Sequence, residues 1–183
     1  MYRIKQLLSA RLKALSKRTV LTILMVVLSL ICFIAIASHN IKSPGLYYDE
    51  VDFVNAALGG TANSNFITQR IFGIPVMIMP YIGALKSAIY YPIFLLFGVS
   101  TLTIRLPAII LGALALFVWY KVSKLIFQEK LYPLLLIVLM ALDPAYLFQS
   151  KLDWGPIVLQ TLFTGLSAYC FFRALQGTNK QAV

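Results

Sequence analysis

Thr19-Val-Leu-Thr-Ile-Leu-Met-Val-Val-Leu-Ser-Leu-Ile-Cys-Phe-Ile-Ala-Ile-Ala37 is a run of nineteen residues without a charge. As a helix rising about 1.5 Å per residue it reaches about 28 Å, close to the hydrocarbon thickness of a bilayer. Ahead of it stand Arg3, Lys5, Arg11, Lys13, Lys17 and Arg18, six of the sixteen basic residues in the chain. Between them Ile4, Leu7, Leu8, Leu12 and Leu15 recur at helical spacing. Residues 1–18 therefore read as a basic amphipathic segment on the cytoplasmic surface of a membrane. A cleaved signal peptide is the competing reading, helped by Ala35-Ile-Ala37. The long basic region favours an uncleaved anchor, as does an apolar run exceeding the usual ~7–15 residues.

Composition extends this reading to the whole chain. Of 183 residues, 60% are apolar and 12% charged, about half the charged share of a soluble domain. The net charge of +10 does not point to nucleic acid, because the basic residues flank apolar runs. That placement orients helices and attracts anionic membrane lipid. Cys32 and Cys170 lie inside apolar runs, so neither a disulfide framework nor a cysteine metal site is expected.

Further apolar runs are 71–85, 88–99, 106–120, 131–148 and 156–172. Lys121, Lys124 and Lys130 form the densest basic cluster after the N-terminus, which puts that connection in the cytoplasm. A helix ending at Tyr120 then runs inward, and everything from Ser38 to about Thr103 lies outside. The runs 71–85 and 88–99, broken by Pro75, Pro80 and Pro92 and divided by Lys86, become interfacial or re-entrant helices. The expected fold is an all-α polytopic membrane bundle. Spans are expected at about 19–38, 104–122, 131–149 and 156–174, with residues 19–183 as one transmembrane module and juxtamembrane helices in a long first outer loop. Five spans are the alternative. The expected location is the cell (inner) membrane, multi-pass, with a cytoplasmic N-terminus.

The acids are Asp49, Glu50, Asp52, Glu129, Asp143 and Asp153. In this topology all but Glu129 lie at or near the outer face. Asp49, Glu50 and Asp52 open an amphipathic stretch, where acids also serve as helix caps. Asp153 sits in a short connection, where pairing with Lys151 is the plain structural alternative. Asp143 falls nominally within a span, where a carboxylate is costly. Carboxylates gathered at a lipid-facing site suit glycosyl transfer from a polyprenyl-phosphate sugar. One activates the acceptor, and a second positions groups or holds a divalent metal. Arg70, Lys86, Arg105 and Lys151 are the outer-side cations available to the donor phosphate, with interfacial snorkelling as the alternative for each.

Tyr47-Tyr48-Asp49-Glu50 resembles the Asp-Glu signature of the GT-C glycosyltransferases, in particular the protein O-mannosyltransferase and aminoarabinose transferase group. Pro80-Tyr-Ile-Gly-Ala-Leu-Lys86 through Phe97-Gly98 resembles their proline-containing juxtamembrane helices, and Arg105-Leu-Pro107 the opening of their second span. Lys151-Leu-Asp-Trp-Gly-Pro156 resembles their Arg-x-Asp-x-Pro motif. The resemblance implies a membrane enzyme acting on the extracytoplasmic side, with catalytic acids at Asp49, Glu50 and Asp153; the substrate contacts expected beside them are Tyr48, Arg70, Lys86, Arg105 and Lys151. It departs where Met77-Ile-Met-Pro80 lacks the charged residue that often accompanies the family's loop prolines. Family members are also much longer, so a partial enzyme is expected, completed by a C-terminal half or by oligomerisation. No metal ligands are assigned. The alternative function is a transporter or lipid-linked-substrate-binding subunit without chemistry.

Overall fold

A computed structural model describes residues 17–58, 67–78 and 85–181, with side chains at 19–58, 71–74 and 85–176. The surface segment expected at 1–18 lies almost wholly outside the described residues. The chain forms helices α1 (Lys17–Ser38) and α2 (Tyr48–Leu58), strands β1 (Ile67–Ile71) and β2 (Ile74–Ile78), then helices α3 (Leu85–Phe97), α4 (Thr101–Ile126), α5 (Leu131–Leu142), α6 (Pro144–Lys151) and α7 (Ile157–Gln181). It is an all-helical bundle carrying one small hairpin.

Among the described residues, Thr19–Ser38, Thr101–Ile126 and Ile157–Gln176 are each long and apolar enough to cross a membrane. The pair α5–α6 makes a fourth crossing if it counts as one span. The chain is thus compatible with a multi-pass membrane protein. Many large apolar side chains face outward, among them Leu21, Leu24, Leu28 and Ile31 on α1, Leu135 and Leu139 on α5, and Phe163 and Phe171 on α7. In water that surface would be a liability, but in lipid it is the solvated surface.

Helix α4 is the centre of the bundle. It packs along α7 on one side and against α1, α5 and α6 on the other. Phe33, Ile109, Leu116, Ile137 and Tyr146 form one core cluster, and Ala115, Val118, Val122 and Leu162 form a second. Small residues allow the close approach that lipid-immersed helices need. A side chain on Gly112 would meet Ser150 Oγ at 3.0 Å and the Phe33 ring at 3.1 Å. Ser100 starts α4 with a capping box, accepting from the Thr103 N–H at 3.2 Å while Thr103 Oγ1 accepts from the Ser100 N–H at 2.8 Å.

One expectation needs correction. The run 71–85 is not a helix over its first part. Residues 67–71 and 74–78 pair antiparallel, Ile71 opposite Ile74. Phe72 (φ +52°) and Gly73 (φ +80°) close the hairpin with positive φ at both turn positions. That geometry suits the twist of paired strands, and glycine supplies half of it. The expectation of a helix at 88–99 holds in α3, which carries Pro92 inside it. The segment expected as a span at 131–149 is bent, α5 and α6 meeting at 56°. Pro144 has no N–H to continue the helix and forces its predecessor out of helical geometry. Asp143 accordingly takes ψ 117° and caps α6, its Oδ2 accepting from the Tyr146 N–H at 3.1 Å. The carboxylate that appeared to sit within a span is an exposed helix cap.

Charge is segregated along the bundle. Asp49, Glu50, Asp52 and Asp153 sit at the end where α2 and α3 pack against α4. Lys121, Lys124, Glu129 and Lys130 sit at the opposite end, where the Gln176 side chain of α7 donates to Leu125 O at 3.1 Å.

Candidate functional site

Helix α2 begins with Asp49 and Glu50 in its first turn, where the positive end of the helix dipole favours acids. Glu50 reaches back to accept from the Tyr47 N–H at 2.8 Å, fixing the helix start. It also meets Arg105 of α4 in a forked pair, with Arg105 Nε donating to Oε1 at 2.7 Å and Nη2 to Oε2 at 2.9 Å. The remaining guanidinium donors go to the carbonyls of Ile41, Pro44 and Gly45 at 2.6–3.0 Å. All five N–H groups of Arg105 are thereby engaged. Both side chains are fully buried. The pair fastens the segment 41–50 to the bundle, and Arg105 has no donor left for a substrate phosphate.

Lys86 of α3 plays a parallel part. Its ammonium lies 2.9 Å from Asp153 Oδ1 and donates to Asp153 O and Gly155 O, each at 2.9 Å. The Phe53 ring of α2 covers it at 3.5 Å. Left-handed backbone at Asp153 (φ +49°) and Gly155 (φ +58°) shapes the turn from which both carbonyls reach the ammonium. Lys86 is buried and its three donors are occupied. It therefore holds the α6–α7 connection against α3 and does not offer a hand to solvent. Lys151 is not the partner of Asp153; it donates to His39 O at 2.8 Å and is half-exposed.

Tyr90, one turn beyond Lys86 on α3, completes the cluster. Its Oη lies 2.8 Å from Ile104 O and 2.9 Å from Asp153 Oδ2. A phenol has one proton and the carbonyl can only accept. Directed at Asp153 Oδ2, the phenol proton stabilises the carboxylate, as the Lys86 ammonium does. Burial acts against both, pushing the Asp153 carboxyl up to about 6. Burial also lowers Lys86 despite the attraction of Asp153, Glu50 and Asp49. The pair is therefore poised nearer neutrality than a surface pair would be.

An accessible crevice of about 110 Å³ at this end is lined by Tyr47, Tyr48, Asp49, Leu152 and Trp154. Tyr47 stacks on Trp154 with ring centres 6.2 Å apart, and Phe148 backs the indole at 6.0 Å. Asp49 is half-exposed and Tyr48 largely exposed. Asp52, one turn on, is buried with Oδ2 lacking a partner, and burial and the Asp49 charge raise its carboxyl.

The fold thus brings the two acid-bearing segments together at one end. Asp49 lines the crevice, whereas Asp153 lies behind its Leu152–Trp154 wall, engaged with Lys86 and Tyr90. Glu50, Lys86 and Arg105 hold the walls, and the side chain of Arg70 lies outside the described residues. Among the described residues no group of three or more metal-ligating side chains is assembled, and Glu50 and Asp153 already hold their partners. Tyr90, Phe53 and Trp154 escaped the reading by charge. The spacing of Lys86 and Tyr90, four apart on one helix face, was the available signal. No protein-family model, curated protein or solved structure matches this chain.

Proposed function

We propose that the chain binds a polyprenyl-phosphate-linked sugar at its acid-bearing end and supports transfer of the sugar to an acceptor on the extracytoplasmic side. The observation that carries this reading is the crevice itself. An accessible carboxylate, Asp49, stands among Tyr47, Tyr48 and Trp154, on a wall fixed by two buried ion pairs. Aromatic faces and an acceptor carboxylate suit the mixed apolar and hydroxyl surface of a sugar ring.

In this reading Asp49 takes the proton of the acceptor hydroxyl or amine. The freed acceptor atom bonds to the anomeric carbon as the carbon–oxygen bond to phosphate breaks. The electron pair leaves with the polyprenyl phosphate. Glu50, Arg105, Lys86 and Asp153 are positioning residues, holding α2 and the α6–α7 turn in register. Lys151 keeps ammonium donors beyond its bond to His39 and is the cation offered to the phosphate. The basic end then faces the cytoplasm, as the bias of basic residues requires, and the membrane is the cell (inner) membrane.

A carrier without chemistry would hold the same donor and leave its sugar linkage intact. The experiment is donor-dependent release of polyprenyl phosphate by the purified full chain, supplied with a panel of polyprenyl-phosphate sugars and acceptors. Release with sugar transfer supports the enzyme, and binding without release supports the carrier.

A further inference from the structure

At the opposite end of the bundle lies a larger cavity that the proposed chemistry does not use. It encloses about 210 Å³ between the start of α1, the last turn of α4 and the start of α5. Thr19 and Thr22 line one side, and Lys124, Glu129 and Lys130 the other. Thr19 is the first residue of one candidate span, and Lys124 lies two residues before the end of another, at Ile126. The cavity therefore sits at the level where the apolar crossings stop, which is headgroup depth in a bilayer.

The state of the lysines separates this cavity from the acid-bearing end. There, Lys86 and Arg105 have every donor occupied. Here, among the described residues, neither Lys124 nor Lys130 forms an ion pair or a hydrogen bond. Lys124 faces only the Tyr120 ring, at 5.6 Å. Both lysines are exposed. Lys130 precedes α5 without a side-chain cap, and the first turn of α5 carries no acid. The unfilled positive end of that helix adds to the same field. Glu129 subtracts from it. Around the opening, Leu21, Leu131 and Tyr132 expose apolar surface, with tyrosine suited to the membrane interface.

We propose that this cavity binds the phosphodiester headgroup of an anionic phospholipid. The two ammonium groups and the α5 N-terminus would take the phosphate oxygens, and the apolar rim would lie along the acyl chains. The proposal stands independently of the reaction at the other end.

The test is native mass spectrometry of the detergent-purified full chain, preloaded with phosphatidylglycerol or phosphatidylcholine. Phosphatidylglycerol adducts should survive activation that strips phosphatidylcholine. The variant Lys124→Gln/Lys130→Gln should lose that retention by about thirtyfold, and Glu129→Gln should increase it. These three side chains are exposed, so the variants should fold; unchanged unfolding temperature verifies it. Equal retention of the two lipids, or full retention in the double lysine variant, overturns the proposal. So does soluble glycerol phosphate displacing the lipid completely, which would mark a site for free phosphate.

Discussion

Lys86 and Asp153, 67 residues apart in sequence, meet at 2.9 Å in a buried ion pair that joins helix α3 to the α6–α7 turn. With the Glu50–Arg105 pair it fixes the acid-bearing end of the bundle. The two pairs differ in character. Glu50 and Arg105 saturate each other with charge-assisted bonds, whereas burial of Asp153 outweighs its contacts with Lys86 and Tyr90 and favours its protonated form.

That difference sets an asymmetry between single substitutions. Asp153→Asn removes a charge that burial disfavours more than Lys86 favours it, so at neutral pH it should cost less than the about 3–5 kcal/mol expected when a buried charge is left unpaired. Lys86→Met leaves an acid that burial already pushes up to about 6, so it can be neutralised by protonation. Its cost should shrink as pH falls from 7.5 towards 5. Chemical denaturation of the detergent-solubilised variants at the two pH values measures both, and a cost for Lys86→Met that does not change with pH contradicts this picture.

The wild-type chain should show a related pH dependence. Asp153 has a folded value of about 6 against an ordinary 3.8, so the folded state binds more protons between these values. Its contribution is fully present below about 3.8 and is lost as pH rises through about 6. Asp52, also raised, acts in the same direction. Stability should therefore fall from pH 4 to pH 6, and the Lys86→Met/Asp153→Leu double variant should show a shallower fall. Unfolding temperatures across this window are the measurement.

Arg105→Lys tests the other pair. An ammonium has three donors and cannot reproduce the five bonds of the guanidinium fork. A loss of about 2–4 kcal/mol is expected, from at least two charge-assisted bonds. Hydrogen exchange should speed up locally over 41–47, whose carbonyls the guanidinium binds. Uniform acceleration across the bundle, with no local effect, would argue against this anchoring role.

Orientation is open to chemical labelling. In a chain with Cys32 and Cys170 replaced, a cysteine at Ser100 should react with an impermeant thiol reagent from the extracytoplasmic side, and one at Gln128 should not. Both positions are exposed, so protection reports sidedness and not burial. The reverse pattern would place the acid-bearing end in the cytoplasm.

Much of the architecture was legible because lipid leaves few options: apolar runs of sufficient length must be helices. The hairpin at 67–78 was not, since proline and short apolar runs suit re-entrant helices and paired strands alike. The deciding turn, Phe72-Gly73, is a weak signal alone. The bend at Asp143-Pro144 was readable as a helix break but was subordinated to span length. At the site, charge scarcity led to Asp49, Glu50 and Asp153 and to the grouping of their segments. It did not reveal which were free. Lys86 and Arg105 looked like phosphate ligands because pairing across 55 and 67 residues is set by tertiary packing, which sequence spacing does not encode.

The central claim is that Asp49, accessible in its aromatic crevice, is the acid that meets the acceptor. The most direct measurement is the rate of sugar transfer from a polyprenyl-phosphate donor by the wild-type chain and by Asp49→Asn. The substitution keeps size and fold while removing the proton acceptor, and general-base loss costs about 10²–10⁴-fold. A fall of that size, with donor retention unchanged, is the expected result. Transfer by Asp49→Asn at the wild-type rate, or no donor-dependent transfer by the wild-type chain across the donor panel, contradicts the claim.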